Sequence, residues 1–132
     1  MKSYLGIGIA LLAGAVAGAS GMTALHAQSK GPVYLVTEID VSNPEAYGAE
    51  FAPKAQASIK AAGGKQIAIG GAGGAGAKGI TALEGTPPKR AVIQQWESVD
   101  ALMAWYKGAS YQDALKTGSK YATFRRYIVE GM

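Results

Sequence analysis

The sequence predicts an α+β domain, an antiparallel sheet covered on one face by helices, built in the order β-α-β-β-α-β. Two observations lead to this fold class. Four short segments rich in β-branched and aromatic residues alternate between apolar and polar positions, as half-buried strands do. Two segments with helical periodicity separate the first strand from the second and the third from the fourth. This order is the split βαβ, or ferredoxin-like, arrangement.

The first strand and the first helix have clear boundaries. "VYLVTEIDV" (33–41) is β-branched and alternating, which predicts a strand. Asn43 is a good N-cap and Pro44 suits the first helical position, so a helix is expected to begin there. Pro53 is expected to kink or restart that helix, and Gly63-Gly64 to end it. Its apolar stripe consists of Tyr47, Phe51, Ala55, Ile59 and Ala62.

The remaining elements follow from the same kinds of signal. Further strands are predicted for "KQIAIG" (65–70), "KRAVIQQWES" (89–98) and "TFRRYIVEG" (123–131). Ser98 caps a helix over 99–107, Gly108 ends it, and a further helical piece begins at Ser110. Residues 80–84 are compatible with one more short strand.

The connection between the second and third strands contains a literal G-x-G-x-x-G at Gly71, Gly73 and Gly76. In a dinucleotide-binding fold such glycines let the backbone meet a pyrophosphate at the N-terminus of a helix. Here the motif runs into "AKGITALEGTPP" (77–88), where no helix can begin, and the P-loop order is absent. We therefore expect no nucleotide site and predict that residues 70–88 form a flexible Gly- and Pro-rich connection.

The N-terminal segment is typical of a secretory signal peptide. Lys2 supplies a basic start, and residues 5–19 form an apolar run shorter than the roughly 20 residues of a membrane-spanning helix. Ala27 is a small residue suited to a cleavage site, so removal of residues 1–27 is predicted, with an uncleaved anchor as the alternative. The domain is then residues 28–132, exported across the inner membrane to the periplasm or the exterior, with no stable membrane span.

The composition excludes several classes of site. The chain has no cysteine, and its one histidine, His26, lies in the segment predicted to be removed. The remaining domain therefore cannot carry a Ser-His-Asp or Cys-His nucleophilic site, a histidine-ligated haem or a His/Cys zinc site. We expect no cofactor and no metal. Its formal charge is +3, from 12 Lys and Arg against 9 Asp and Glu, and the positive residues are scattered, so no nucleic-acid partner is expected.

Apolar side chains on both faces of the predicted sheet indicate an interaction surface. Alternation places Leu35 and Ile39 of the first strand on one face, and Tyr34 and Val36, beside Glu38, on the other. The third and fourth strands are also apolar on both sides. Because helices cover only one face, we predict that the other packs against a second copy of the chain, in a homodimer with a barrel-like pair of sheets.

Five segments together resemble the domain of unknown function 1330 family: "YLVTEIDVSNPEAY" (34–47), "AAGGKQIAIGG" (61–71), "ALEGTPPKRAVIQQWES" (82–98), "AWYKGASYQDAL" (104–115) and "FRRYIVEG" (124–131). The chain is most similar to an exported branch of that family, whose signal ends in a similar "LHAQ". The resemblance implies a small ferredoxin-like subunit of the dimeric α/β-barrel group, and it implies no particular reaction. Two positions depart from many relatives, because Ala62 stands where they have histidine and Gly118 where they have arginine.

Polar groups near the uncovered face are the candidate site residues. Glu38, in an apolar strand, could act as an acid or base if burial raises its pKa, and the alternative is a surface residue or a partner for an arginine. Arg90 could bind a substrate carboxylate, and the alternative is a structural pair with Glu84. Arg125 and Arg126 point to opposite faces of the last strand, so only one can enter a cleft, and Arg125 is the candidate.

Aromatic residues complete the candidate set. Tyr121 could donate a phenolic hydrogen bond, and Tyr34 could contact a ligand on the same face as Glu38. Trp105, Tyr106 and Tyr111 have helical spacing and are predicted to be core residues rather than a ligand cage.

These residues lead to one main functional hypothesis and two alternatives. The main hypothesis is an exported homodimeric domain that binds a small anionic or aromatic molecule in a cleft on the uncovered sheet face. The first alternative is a cofactor-independent enzyme of the dimeric-barrel kind, an isomerase or monooxygenase that uses carboxylate, tyrosine and arginine only. The second is a structural or partner-binding envelope protein.

Overall fold

The computed structural model describes residues 31–71 and 78–132, which form the predicted α+β fold. The strands are β1 (Val33–Val41), β2 (Lys65–Gly71), β3 (Arg90–Trp96) and β4 (Ala122–Glu130). The helices are α1 (Pro44–Ala46), a π-helical turn (Tyr47–Phe51), α2 (Ala52–Ala61), α3 (Val99–Lys107) and α4 (Ala109–Gly118). None of the helices in these two ranges is long and apolar enough to cross a membrane. The predicted signal peptide, 1–27, lies outside the described residues.

The four strands form one antiparallel sheet in the order β2-β3-β1-β4. β1 lies in the middle, so that Val33 is paired with Trp96 of β3 on one side and with Glu130 of β4 on the other. The pairing of β2 with β3 shifts register between Gln66 and Ala68. This strand order is the ferredoxin-like one, and the predicted fold class is confirmed.

The first helical region begins and breaks where the sequence predicts. The Asn43 side chain accepts a hydrogen bond from the Ala46 backbone N–H at 3.1 Å. Immediately before Pro53 the helix widens into the π-helical turn, which the N–H of Ala52 closes by donating to the carbonyl of Tyr47. Because a proline contributes no N–H and crowds the preceding turn, this widening accommodates Pro53 within a continuous helical region.

Two glycines end α2 and let β2 approach the core. Gly63 has a φ of +90°, which favours glycine, and the Gly64 N–H donates to the Ile59 carbonyl at 2.9 Å. Gly64 also lies against the Trp96 indole, since a Cβ there would come within 2.4 Å of the ring. Trp96 is only 2 % exposed, so it has no room to move aside.

A tryptophan joins α3 to α2 and to the sheet. α3 begins at Ser98, whose hydroxyl accepts a hydrogen bond from the Ala101 N–H at 3.1 Å, as predicted for an N-cap. The Trp105 indole N–H donates to the Ser58 hydroxyl at 3.0 Å, and its ring centre lies 5.2 Å from that of Trp96. Trp105 is buried, which confirms it as a core residue.

The core lies between the sheet and the helices. In β1, Val33, Leu35 and Ile39 are buried, and the residues that alternate with them are half-buried or exposed. The predicted division of this strand into two faces is confirmed. The buried apolar residues are Val33, Leu35, Ile39, Tyr47, Phe51, Ala55, Ile59, Val92, Trp96, Leu102, Trp105, Tyr111, Ala114 and Ala122.

The connection from β2 to β3 is irregular in its described part, residues 78–89. The short strand that the sequence allows at 80–84 is wrong, because no neighbouring strand pairs with these residues. The Gly71 N–H donates to the Lys78 carbonyl at 2.7 Å, and the Lys78 N–H donates to Ile69 at 3.1 Å. Within the part of the connection that is described, no helix follows β2, so a pyrophosphate would find no helix N-terminus there.

Candidate ligand-binding site

The face of the sheet that points away from the helices, which we call the open face, is not covered by the described residues of a single chain. Tyr34 and Val36 of β1 and Ile93 of β3 alternate onto it and are half-buried. Tyr127 and Val129 of β4 are 46 % and 47 % exposed. Cross-strand pairing places Val36 between Ile93 and Tyr127, so the middle of the open face is apolar. The predicted presence of apolar groups on both faces is confirmed.

Two of the predicted site residues, Glu38 and Arg125, meet on the open face. They are cross-strand partners, and the Arg125 guanidinium donates from Nε to Oε2 at 3.0 Å and from Nη2 to Oε1 at 2.6 Å. These hydrogen bonds hold the pKa of Arg125 above its ordinary value. The Glu38 side chain is 19 % exposed and the Arg125 side chain 75 %. Glu38 is therefore the partner of an arginine, the alternative that the sequence left open.

A polar cleft of about 360 Å³ lies beside this ion pair, at one end of β1 and β4. It is lined by Glu38, Ile39, Asp40, Thr86, Pro87, Pro88, Thr123, Phe124 and Arg125. Arg125 is the only cation in this lining, and its charge is already balanced by Glu38. Asp40 adds a negative charge, so this cleft has no cation left for an anionic ligand.

Tyr34 shares the open face but lies away from the polar cleft. It is paired with Gln95 and Val129, and it stands four residues from Glu38 along β1, or about 13 Å at the usual rise of a strand. Its ring packs near Gly131, where a Cβ would lie 3.2 Å from Cε2. The structure therefore does not bring Tyr34 to the Glu38–Arg125 pair.

The sequence predicts one polar group on the open face, made of Glu38, Arg90, Tyr121 and Arg125. The structure corrects this grouping because Arg90 faces the helices. Arg90 is 2 % exposed, and its guanidinium carbon lies 5.6 Å from the centre of the Tyr47 ring. The cause is strand alternation, since Arg90 shares the buried side of β3 with Val92 and Trp96.

Tyr121 and Glu84 are not among the residues that line the polar cleft beside the Glu38–Arg125 pair. Tyr121 follows α4, and a hydrogen bond with Glu50 raises the pKa of its phenol. The backbone carbonyl of Tyr121 accepts a hydrogen bond from the Ser42 hydroxyl at 2.9 Å. Glu84 is exposed on the connection between β2 and β3. The functional roles suggested for these residues remain predictions.

On the helix side, the structure brings together a group that the sequence did not predict as a site. We call it the Arg126 cluster, and it consists of Tyr106, Tyr111, Phe124 and Arg126. The guanidinium of Arg126 donates to the Tyr111 hydroxyl. Its central carbon lies 4.2 Å from the centre of the Phe124 ring, 5.3 Å from that of Tyr111 and 5.8 Å from that of Tyr106. Aromatic faces at these distances stabilise a cation.

Arg126 lacks an anionic partner among the described residues, because none of their carboxylates lies within ion-pair distance of it. A guanidinium carries five N–H donors, and the only side chain among the described residues that accepts from Arg126 is Tyr111. Arg125, the next residue along β4, donates to Glu38 instead. Of these two neighbouring arginines, only Arg126 therefore has a charge that no described carboxylate balances, together with N–H donors for a bound anion.

Arg126 forms part of the wall of a cleft of about 200 Å³ between α3 and β4, which we call the α3–β4 cleft. The remaining wall is apolar or aromatic and consists of Leu35, Leu102, Met103, Tyr106, Tyr127 and Ile128. Leu35 is 3 % exposed and Leu102 is 2 % exposed, so the floor of the cleft is also part of the core. The cleft combines an apolar floor with one cationic group.

Tyr111 can donate or accept a hydrogen bond but is a poor base. Burial raises the pKa of Tyr111 to about 12, in spite of the opposing effect of the nearby Arg126. The phenol therefore stays protonated near neutral pH. Its oxygen accepts from Arg126, which leaves the hydroxyl proton for another acceptor.

One sequence signal points to this cluster. Successive strand residues face opposite sides, so if Arg125 lies on the open face, Arg126 must face the helices. The helical spacing of Tyr106 and Tyr111 is the same for core residues and for ligand contacts, and for that reason it does not identify them as site residues.

Comparison with known proteins agrees with the fold. A model of the family described as Domain of unknown function (DUF1330) matches residues 32–132. All the site residues named above lie inside that match. No curated protein matches the chain.

Several solved structures share the fold at low sequence identity. A protein of unknown function from Rhodopseudomonas palustris is 18 % identical, with a TM-score of 0.59 over 85 % of this chain and 92 % of that one. SnoaB, a cofactor-independent oxygenase from Streptomyces nogalater, is 13 % identical, with a TM-score of 0.54 over 76 % and 93 %. A dimeric protein of unknown function and ferredoxin-like fold from Bacteroides fragilis is 10 % identical, with a TM-score of 0.53 over 76 % and 96 %. These likenesses show a shared ferredoxin-like fold.

Proposed function

The chain belongs to the family described as Domain of unknown function (DUF1330), and on that premise we propose that it is a binding domain whose α3–β4 cleft takes a small anionic molecule. The observation that carries the proposal is Arg126. It is a half-buried cation on the wall of an apolar cleft, and no carboxylate in the described parts of the chain balances it.

The energetics favour an anion at this position. A charged group held partly away from water loses solvation, and without a counter-charge that loss is only partly offset by the aromatic rings around it. Hydrogen bonds to a charged group contribute about 1.5–3 kcal/mol each. An anion in the cleft that accepts from Arg126 therefore both satisfies the guanidinium and stabilises the folded domain.

This proposal moves the ligand from the open face to the helix side of the sheet. The sequence places the site near Glu38 and Arg125, but these two residues neutralise each other. Arg126 is the adjacent residue with the same side chain, and the described carboxylates leave its charge unbalanced. The chain thus supplies a matched pair of arginines for testing the two positions.

The test is a thermal-shift screen with small organic and inorganic anions against the full chain. We expect at least one anion to raise the melting temperature of the wild-type protein. Arg126→Gln should abolish that shift, and Arg125→Gln should retain it. A panel in which no anion stabilises the wild type, or in which Arg125→Gln loses the shift and Arg126→Gln keeps it, contradicts the proposal.

A second part of the proposal is that two chains form a homodimer through their open faces. The support is the apolar middle of this face, formed by Val36, Ile93 and Tyr127, which a single sheet leaves in contact with water. The similar Bacteroides fragilis protein is described as dimeric. Light scattering at micromolar concentration should give the mass of two chains, and the mass of one chain would contradict the dimer.

Export is the third part of the proposal and rests on the sequence alone. Lys2, the apolar run 5–19 and the small residue Ala27 have the order of a cleavable secretory signal. Intact-mass measurement of protein recovered from the cell envelope should show loss of residues 1–27. A full-length mass would favour an uncleaved anchor.

Catalysis without a cofactor is a second candidate function, favoured by one feature of the same cleft. The Arg126 guanidinium is held in place by the Tyr111 hydroxyl and the Phe124 ring, and a preorganised donor of this kind can stabilise a developing oxyanion as well as a bound anion. Mass spectrometry of a bound ligand after incubation separates the two cases. An unchanged ligand supports binding alone, and a converted one supports catalysis.

A further inference from the structure

We infer that the ligand of the α3–β4 cleft is a single-ring aromatic monocarboxylate, with its carboxylate on Arg126 and its ring over the apolar floor. This inference rests on the proposed function and adds the chemical class of the ligand. It depends on three properties of the cleft, namely its volume, the chemistry of its wall and the fixed orientation of its one cation.

The volume limits the ligand to about one ring. The cleft holds about 200 Å³, and an apolar cavity of about 150 Å³ is enough to take a benzene molecule. The remaining space suits one small substituent such as a carboxylate. A second fused ring would have to extend out of the cleft into solvent or displace its wall.

The wall favours an apolar, flat body. Leu35, Leu102 and Ile128 form an aliphatic surface, and the flexible thioether of Met103 adapts to the shape of a ring and makes favourable contacts with its edge. The half-buried ring of Tyr106 offers an edge or a face for aromatic packing.

The distribution of charge limits the ligand to one acidic group. Among the described residues, Arg126 is the only charged one in the wall of this cleft. A second carboxylate inside the cleft would lie against a wall that is otherwise apolar or aromatic and holds no second cation among the described residues. Burying an unpartnered charge there is strongly unfavourable. A dicarboxylate is therefore expected to bind more weakly than a monocarboxylate of similar size.

The position of the guanidinium suits a rigid acid. Phe124 lies 4.2 Å from its central carbon, which helps to hold the group in place, and Tyr111 accepts one of its hydrogen bonds. The planar group then meets a carboxylate through paired N–H donors. An aromatic acid holds its carboxylate and ring in nearly one plane, so it loses less conformational freedom on binding than a flexible acid does.

The test uses benzoate as the probe, with benzamide, hexanoate, terephthalate and 2-naphthoate as comparisons, in calorimetric titrations of the full chain. We expect benzoate to bind at least about tenfold more tightly than benzamide, because the charge-assisted contact to arginine is lost in the amide. Benzoate should also bind more tightly than the flexible, the doubly charged and the two-ring acids.

Variants then locate the binding. Arg126→Gln should weaken benzoate binding at least about tenfold, and Arg125→Gln should leave it within about twofold. If Arg126→Gln fails to fold, Met103→Trp provides an independent test, because it fills the ring position of the cleft and leaves Arg126 in place. Met103→Trp is expected to abolish benzoate binding in a protein that circular dichroism shows to be folded.

Different results would overturn the ligand class and the anion-binding function. If hexanoate binds as tightly as benzoate and both depend on Arg126, the aromatic assignment is overturned and the anion-binding function stands. Equal affinity for 2-naphthoate or terephthalate overturns the limit to one ring or to one charge in the same way. If no acid binds the wild type but another anion of the thermal-shift screen does so in an Arg126-dependent way, the ligand class is overturned and the anion-binding function stands. If no anion of either panel binds, or if binding survives both Arg126→Gln and Met103→Trp, the proposed function fails as well.

Discussion

Replacing Gly118 with alanine is expected to destabilise the domain, because the last turn of α4 packs directly on the ring of Phe51. A Cβ at position 118 would lie 2.5 Å from Cδ2 and 2.8 Å from Cε2 of that ring. Phe51 is 3 % exposed, and its ring centre is 5.1 Å from that of Tyr47 and 5.5 Å from that of Phe124. The ring therefore cannot move without displacing its aromatic neighbours, one of which contacts Arg126.

The magnitude follows from two opposing effects. Forcing an extra methyl group into a well-packed core costs about 1–3 kcal/mol. Alanine is better than glycine in a helix interior by up to about 1 kcal/mol, and Gly118 gains less than this because it is the last residue of α4. We expect a net loss of roughly 1–2 kcal/mol in the free energy of unfolding, or about 5–10 °C in melting temperature for a domain of this size.

Urea denaturation followed by tryptophan fluorescence measures this loss directly. The control is Gly48→Ala, in the π-helical turn, because a Cβ there has no atom within 4 Å. That variant should be stabilised by about 0.4–1 kcal/mol. If Gly118→Ala is as stable as the wild type or more stable, Phe51 yields easily and the reasoning from core packing is refuted.

Three further predictions concern ionisation and assembly. Burial raises the pKa of Tyr111 from 10 to about 12, so its contribution to stability is complete below pH 10 and is lost as the pH rises towards 12. Loss of about 2–3 kcal/mol from Tyr111 is expected over that window. In thermal denaturation at successive alkaline pH values, Tyr111→Phe should reduce the loss and leave a part that comes from Tyr47, since burial raises the pKa of that phenol as well; an unchanged profile would show that the Tyr111 phenol is not the cause. Glu38→Gln breaks the partly exposed ion pair with Arg125. Because water and salt screen such a pair, the melting temperature should fall only slightly, and by less at high than at low ionic strength. A large fall that does not depend on salt would contradict a solvent-screened pair. Val36→Glu places a charge in the middle of the open face and should yield single chains in light scattering while circular dichroism remains unchanged, whereas a persistent dimer would show that this face is not the interface.

Most of the fold could be predicted from local signals. The range of β1 is the predicted one, the Asn43 and Ser98 caps make the predicted hydrogen bonds, and Pro53 marks the change of helix geometry. Each of these features depends on residues within a few positions of one another, which is the range over which propensity and periodicity carry information. The secondary structure of residues 80–84 could not be predicted in this way, because a short apolar run next to prolines does not show whether a neighbouring strand is available for pairing.

The candidate site was less predictable because it depends on contacts between distant segments. Arg90 begins β3, and only the pairing of Arg90 with Ile39 across the sheet decides that its side chain is buried under the helices. Arg126 and Tyr111 lie on β4 and α4, and their contact depends on how that helix packs on the sheet. Strand alternation places Arg125 and Arg126 on opposite faces of the sheet, but it does not predict which of them has a carboxylate partner.

The central position of β1 has a consequence for biosynthesis. The ribosome makes this strand first, yet its two partners in the sheet, β3 and β4, come from the second half of the chain. A nascent chain that ends before β3 consequently holds β1 with neither neighbour, and β4, which carries Arg126, is synthesised last. The complete four-stranded sheet and the cleft beside β4 can therefore form only after translation reaches the C-terminal strand.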